Sequence, residues 1–426
     1  MDLADVIAMA QEQIDREVAG NPEVKKMIKI VREFIETHRV MCYGGTAINN
    51  LLPPEDQFYD YSVEIPDYDF FSETPQVHSA KLADRLANAG FASVEVKPGM
   101  HLGTFKVFAD YIPVADVSHM DTAIFKKLWD DKVTKENINY VPPNFLRMSM
   151  YLELSRPKGD VSRWKKVYDR LQLLNKHYPL TCPSGSDKVS DKYLDDETRD
   201  HIRKIMEEEK VVLLGFNASM LQAKNAKRWM LPLDLLATPE KVQSVSKKIA
   251  GVLEKKQTVK IREFSGYEEL MPPRADILTS EKDVLVRIYR TEACHSYHQT
   301  SSGLMVASIP TLLQFFFSAL YAPKEFLESQ SEQRFLCTAE HLVNLANNTK
   351  RKYKLLTPLT CLGTQKNLIS MRSEKSELFN KLKEDKNSRE FIELFFQYTP
   401  TDLTSTQRQK VRKSLRKTLK SHRPRS

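Results

Sequence analysis

Apolar residues recur at spacings of three and four along the first forty positions, and this pattern predicts two amphipathic helices, over 3–18 and 22–37. Asn21 stands where an N-cap belongs and Pro22 at the first helical position, so the break between the helices has a chemical cause. The period then changes. A strand is predicted at 40–43, breaking at Gly44-Gly45 into a short helix near Thr46. Further strands are predicted at 67–72, 92–96, 104–109 and 112–117, with a helix over 76–88 stopped by Gly90. Together these make a small mixed sheet with helices on one side. Helices are expected from Pro142-Pro143 towards Leu154 and over 160–176, the latter with Trp164, Val167, Tyr168 and Leu171 on one core-facing stripe. The Pro-, Ser-, Gly- and Asp-rich stretch 177–191 reads as a linker or long loop.

Beyond that stretch the order of elements recurs. Residues 211–220 repeat the strand, glycine and helix of the first series, Asp234 lies in a strand over 231–236, a helix follows over 239–253, and strands follow at 258–264 and 284–289. The second series has one glycine and one carboxylate where the first has two of each. Either it is a degenerate copy, or it is the ordinary alternation of any α/β domain. Residues 312–320, with Phe315, Phe316 and Phe317, are apolar round most of a helix and suit a core or a subunit interface, and 332–396 is helical in pattern with no evident chemistry. The expected fold class is α/β with mixed α+β sheets. Its expected division is N-terminal helices over 1–38, a first domain over 39–180, a second α/β domain with a helical end over 192–400, and a basic tail over 401–426.

Composition narrows the class. With 426 residues, 41% hydrophobic and 28% charged, the chain is long enough for two or three domains with cores of their own. Asp2, Asp5, Glu12, Asp15 and Glu17 among the first apolar residues are wrong for a signal peptide, and the longest apolar run, 308–322, contains Pro310 and Gln314 and is too short to span a bilayer, so no membrane partner is expected. Cys42, Cys182, Cys294, Cys337 and Cys361 are odd in number and lack paired metal spacing; they read as reduced thiols of a cytosol-like, cytoplasmic compartment. Cys294, His295 and His298 have no second ligand pair beside them, which argues against zinc. Charge is uneven: residues 401–426 hold nine Lys or Arg against Asp402 alone, so the whole net +8 resides there. Such a segment is either a solvated terminus or a polyanion tether; its candidate contacts are Lys410, Arg412, Lys413, Arg416 and Lys417, with Val411, Leu415 and Leu419 at helical spacing.

The candidate chemistry lies in three short motifs. Gly44 and Gly45 lack Cβ atoms and let the backbone approach a ligand, while the helix that follows turns unpaired N–H groups towards an anion. Asp67 and Asp69, two apart on a strand, share a face, and such a carboxylate pair suits a hard divalent cation. Asp116, flanked by Val114, Ala115 and Val117, is the third candidate ligand, and three carboxylates could hold two metal ions. Asp110 competes for that place but precedes a turn at 111–113.

In order and residue type, these motifs resemble the DNA polymerase β-type nucleotidyltransferases. Narrower similarity, carried by Tyr43 to Pro53, Ile65 to Phe71, Pro113 to Ser118, and Tyr151 to Asp160 with Arg163 to Val167, is to the poly(A) polymerase catalytic subunits of large nucleocytoplasmic DNA viruses. It is densest over 40–180 and extends less specifically to about 320; the 21 residues between Gly45 and Asp67 exceed the wider superfamily's spacing and imply a surface loop over 53–64. The resemblance implies a nucleotidyltransferase palm and template-independent addition of AMP from ATP to an RNA 3′ end; if the recurring second series is a degenerate copy of that palm, it would be kept for structure, RNA contact or dimerisation. It implies two Mg²⁺ or Mn²⁺ ions held by Asp67, Asp69 and Asp116 and a triphosphate held by Gly44, Gly45 and Thr46; Arg163, beside the matching segment, either meets phosphate or base or lies with Lys165 and Lys166 on a solvated face. A homodimer or a processivity subunit, a viral origin, and a place in the host cytoplasm or the virion rest on the resemblance alone. Two other classes stay open: a nucleotidyltransferase that modifies protein hydroxyls, and a non-catalytic RNA-binding relative.

Overall fold

The computed structural model describes residues 2–184, 192–224, 228–323, 326, 331–347 and 358–420. The end of the expected linker (185–191), part of the expected helical stretch (348–357), and Arg423 and Arg425 of the basic segment lie outside the described residues. The chain packs as two units, Met1–Pro142 with Leu368–Ser426, and Pro143–Asn367.

In the first unit α1 (Leu3–Gly20) starts at Asp2, whose carboxylate accepts from the Asp5 N–H. It gives way to α2 (Pro22–Thr37) at Asn21, whose side chain accepts from the Glu23 N–H, with Pro22 at the first helical position. Val31, Phe34 and Ile35 of α2 are fully buried. There follow β1 (Met41–Tyr43), α3 (Gly44–Leu51), β2 (Tyr68–Ser72), α4 (Pro75–Asn88), β3 (Val94–Pro98), β4 (Thr104–Ala109), β5 (Ile112–His119), α5 (Thr122–Asp130), β6 (Val133–Lys135) and β7 (Ile138–Tyr140). The strands form one sheet in the order β3-β4-β5-β2-β1-β7-β6. Alternation settles which face each side chain takes: on β4, Phe105, Val107 and Ala109 are buried while Thr104, Lys106 and Phe108 face the other way.

The second unit opens with α6 (Pro143–Leu154) and α7 (Trp164–His177), which the sequence alone groups with the first domain. On α7 the buried stripe is Val167, Leu171 and Leu174; Trp164 and Tyr168 are only half-buried. Next come β8 (Lys192–Tyr193), α8 (Asp196–Glu209), β9 (Val212–Leu213), α9 (Gly215–Gln222), β10 (Met230–Leu231), β11 (Leu233–Ala237), α10 (Pro239–Leu253), β12 (Val259–Phe264), β13 (Arg274–Thr279), β14 (Val284–Arg290), β15 (His295–Gln299), β16 (Met305–Ala307), α11 (Ile309–Tyr321), α12 (Glu332–Asn347) and β17 (Cys361–Leu362). The main sheet runs β12-β13-β14-β11-β9-β16-β15-β17. Strand for strand this is the order of the first sheet, with β17 added at one edge. Directions match too: β9 is antiparallel to β11, β11 parallel to β14 and β9 parallel to β16, as β1 is to β2, β2 to β5 and β1 to β7. Every residue of α11 is buried, Phe316 stacking on Phe216 at 5.3 Å, so this apolar helix is core.

The cysteines depart from the sequence reading. Cys182 is bonded to Cys337 and Cys294 to Cys361, leaving buried Cys42 as a free thiol among the described residues. Pairing of β15 with β17 sets Ser296 opposite Cys361 and so brings together residues 67 apart in sequence, a proximity that spacing cannot reveal. Cys294 is thereby removed from any metal site. No helix among the described residues is long and apolar enough to cross a membrane.

The chain then returns to the first unit as α13 (Leu368–Leu382), α14 (Arg389–Phe395) and α15 (Ser405–Lys420). Val96 of β3 exchanges backbone hydrogen bonds with Tyr398, at 2.8 and 3.1 Å. The expected tail is therefore largely a helix seated on α4: Leu415 is buried, Arg412 forms an ion pair with buried Asp84, and Arg408 donates to Asn88 at 2.8 Å.

Candidate active site

Tyr43 ends β1 in extended backbone, and the chain turns into α3 at Gly44, whose φ of +75° suits glycine. A Cβ there would lie 2.6 Å from Oδ2 of Asp69, so the bend and the carboxylate occupy adjoining space that only a hydrogen side chain permits. Gly45 and Thr46 follow in the first turn of α3, whose N–H groups have no partner within the helix. The Thr46 hydroxyl is already engaged, donating to the carbonyl of Asp67 at 2.6 Å, and thus holds the approach to β2 against α3. The long loop before it is pinned by Asn49, whose side-chain oxygen accepts from the Phe58 and Tyr59 N–H groups at 2.8 and 2.9 Å.

Four strands then set one row of side chains. Tyr43 of β1 is paired with Asp69 of β2, Asp69 with Asp116 of β5, and Asp116 with Lys106 of β4. The Lys106 ammonium donates to both carboxylate oxygens of Asp116, at 2.6 and 2.8 Å. Asp67 lies two residues before Asp69 and keeps an exposed edge. Its pKa is raised, first by loss of hydration against the protein wall and then by facing Asp116; Lys106 offsets part of the rise. The Tyr43 hydroxyl is pushed up by burial and then by Asp69, stays protonated, and hydrogen-bonds with Ser118 at 2.8 Å, as does Thr104. The lone thiol nearby, Cys42, is also pushed up by burial and offers no nucleophile. Asp110 is not in this row: with Tyr111 it makes the β4–β5 turn at positive φ, its carboxylate accepting from the Ser93 N–H at 2.9 Å.

Gly44, Gly45, Thr46, Asp67, Asp69 and Asp116 are thus gathered at one end of the first sheet. Arg163 belongs to the second unit, where its Nε lies 2.9 Å from Glu153. Lys106 is the residue that sequence reasoning missed; the available signal was a single cation on the polar face of a strand otherwise lined by Thr104 and Phe108. Among the described residues no group of three or more His, Cys, Asp or Glu side chains is set to hold a metal ion. Lys106 supplies the positive charge that Asp116 needs. The donor set still has the chemistry of a divalent, oxygen-seeking ion, since Asp69 and Asp116 are register neighbours and the field of Asp116 bears on Asp67.

The corresponding row of the second unit is different. Gly215, at φ +66°, abuts Asp234 as Gly44 abuts Asp69. Asp234 pairs in register with Arg287, and Arg287 with Asp276, so Arg287 holds the position of Asp116 and Asp276 that of Lys106. Pro232, two residues before Asp234, stands where Asp67 does. Arg287 lies 3.8 Å from Asp234, and Arg274 donates to both oxygens of Asp276 at 3.0 Å. All four charged groups are buried. Burial raises Asp234 to about 6 against the lowering effect of Arg287. In this sheet a guanidinium has replaced a carboxylate, and the row is sealed.

Strand order and register define the class: one α/β architecture with a mixed sheet is present twice in the chain, with exposed and half-buried carboxylates in the first copy and a sealed charged row in the second. Residues 29–160 match the family model described as poly(A) polymerase catalytic subunit. The chain is 32% identical over 168 residues to a putative poly(A) polymerase catalytic subunit of African swine fever virus (isolate Pig/Kenya/KEN-50/1950), covering 38% of this chain and 35% of that protein. It is 28% identical over 162 residues to the putative poly(A) polymerase catalytic subunit of Acanthamoeba polyphaga mimivirus, covering 37% of this chain and 27% of that protein. The match therefore spans about a third of the length of these relatives. A crystal structure of the Megavirus polyadenylate synthase superposes with a TM-score of 0.77 at 21% identity, over 98% of this chain and 88% of that one, and so shares the fold.

Proposed function

We propose that the chain is a template-independent poly(A) polymerase, transferring AMP from ATP to the 3′ end of RNA. The observation that carries this reading is the row Lys106–Asp116–Asp69 set against the Gly44 bend, inside the segment that matches the poly(A) polymerase family. The 3′ hydroxyl oxygen of the RNA attacks the α-phosphorus and gives up its proton to solvent, the bond to the bridging oxygen of the β-phosphate breaks, and pyrophosphate leaves. Gly44 leaves room for the β and γ phosphates, which the first-turn N–H groups of α3 receive. Asp67, Asp69 and Asp116 would hold Mg²⁺ or Mn²⁺, which when bound neutralises phosphate charge and makes the attacking hydroxyl more acidic. Lys106, donating to both oxygens of Asp116, keeps that carboxylate oriented until those ions arrive. Tyr43 and Ser118 brace β1 against β5, so the bend keeps its place relative to the carboxylates. Chemistry of this kind needs positioning and charge rather than a covalent nucleophile.

The test is incubation of the full chain with an end-labelled RNA primer, ATP and Mg²⁺ or Mn²⁺. A lengthening ladder is expected, lost in Asp69→Ala. Label transferred from ATP to protein would favour modification of protein hydroxyls, and a mobility shift without extension would favour an RNA-binding relative.

A further inference from the structure

A second charged site lies in the first unit, made by residues other than those of the row just described. The end of α2, α4 and α15 enclose a cleft of about 390 Å³ whose lining includes His38, Lys81, Arg85, Arg412, Lys413 and Arg416, together with Asp84. Five of these side chains are cationic and one is acidic. That acid is already matched: Asp84 accepts from the Tyr398 hydroxyl at 2.7 Å and is ion-paired with Arg412. The Nδ1 of His38 is held by the Phe34 carbonyl at 2.9 Å and its ring is stacked on Phe34, so its Nε2 is the edge left for a ligand.

Cations gathered in this way repel one another. The Lys81 ammonium is held below its ordinary pKa, by burial first and then by Arg416, Arg412 and Arg85. His38 is likewise held down by burial, with Lys81 and Arg85 adding to the effect. An anion entering the cleft would relieve that repulsion. The catalytic row stands beyond the C-terminal end of β1 and His38 just before its start, so the cleft is not the seat of the reacting triphosphate. It is open, and it continues onto exposed Lys410, Lys413 and Lys417 along one side of α15, a run of charge suited to a polyanion rather than to a single small anion.

We infer that the cleft between α4 and α15, with Lys81, Arg85, Lys413 and Arg416 as its walls, grips the phosphate backbone of the RNA strand at a point away from its reacting 3′ end. This rests on the polymerase reading and gives the basic segment a partner face on α4. The contact is to backbone and carries no preference for sequence.

The probe is a fluorescein-labelled single-stranded RNA titrated with the full chain at salt concentrations from about 50 to 200 mM. Lys81→Gln combined with Arg416→Gln is expected to weaken binding about tenfold at the low end and to flatten the slope of log K against log salt by roughly one, at about 0.7 per phosphate. The affinity for ATP and the Tm should stay put, and Lys81→Arg with Arg416→Lys should restore the slope. A variant slope equal to that of the wild type overturns the proposal. So does a variant that loses binding of inorganic phosphate while its RNA slope is unmoved, which would make the cleft a small-anion site. A wild-type chain that shows the Lys81-dependent slope but extends no primer would remove the polymerase reading and leave the cleft; extension with an unmoved slope would do the reverse.

Discussion

Asp116 and Arg287 occupy the same position of two sheets that share one strand order: each lies beside the aspartate of the glycine bend, on the strand parallel to it. One unit presents a carboxylate that a small cation can approach. The other builds the cation into the protein, buries it at 1% exposure, and has Asp276 where the first has Lys106. The two units therefore call for opposite responses to substitution.

Asp67→Asn and Asp69→Asn are expected to reduce primer extension by at least about a hundredfold, on the scale of losing one preorganised charge in a transfer site. Asp234→Asn should leave the extension rate within about twofold, because its row has no exposed carboxylate pair. Single-turnover extension of the three variants checks this, and a loss in Asp234→Asn as large as in Asp69→Asn would overturn the assignment of the chemistry to the first unit.

Gly44→Ala and Gly215→Ala make the same steric error in the two units. Each places a methyl group against an aspartate at positive φ, which costs about 1–3 kcal/mol of stability. Calorimetry should find comparable destabilisation in both, whereas the ATP affinity of the folded protein should fall only for Gly44→Ala.

Asp67 must be ionised to act as a ligand, and its raised pKa places that event above the ordinary carboxylate range. The acid limb of the extension rate against pH should accordingly lie above about 4. Lys106 holds the pKa of Asp67 down, so Lys106→Ala is expected to move that limb to higher pH as well as to lower the rate. A limb that does not move would show that Lys106 acts on Asp116 alone.

Asp234 has its own pH signature, in stability. Its folded pKa of about 6 exceeds the unfolded value near 3.9. Its contribution is fully present below the unfolded value and is lost as pH rises through the folded one. Chemical denaturation between about pH 4 and 6 should show a decline that Asp234→Asn abolishes.

Much of this was legible in the sequence because the decisive signals are local. Alternation fixed the faces of Asp69 and Asp116, Asn21 and Pro22 marked a helix start, and the paired glycines marked the bend. The partners across strands were not legible. Lys106 meets Asp116 only once β4 and β5 are in register, and Cys294 meets Cys361 only through the addition of β17 to β15. The equivalence of the halves was half visible: the order of elements recurs in the chain, but the distance from Gly215 to Asp234 sets Asp234 against Asp67, whereas the pairing of strands sets it against Asp69. The basic segment read as a tail because a run of lysines and arginines looks solvated, although Leu415 and Asp84 give it a seat.

The first unit is discontinuous, its sheet drawn from Met1–Pro142 and its last helices from Leu368–Ser426. During synthesis the sheet of this unit therefore leaves the ribosome well before Arg412 can meet Asp84, and the intervening unit can fold in the meantime. A chain cut before α15 would carry all the candidate catalytic aspartates on a scaffold that lacks the seat α15 takes on α4.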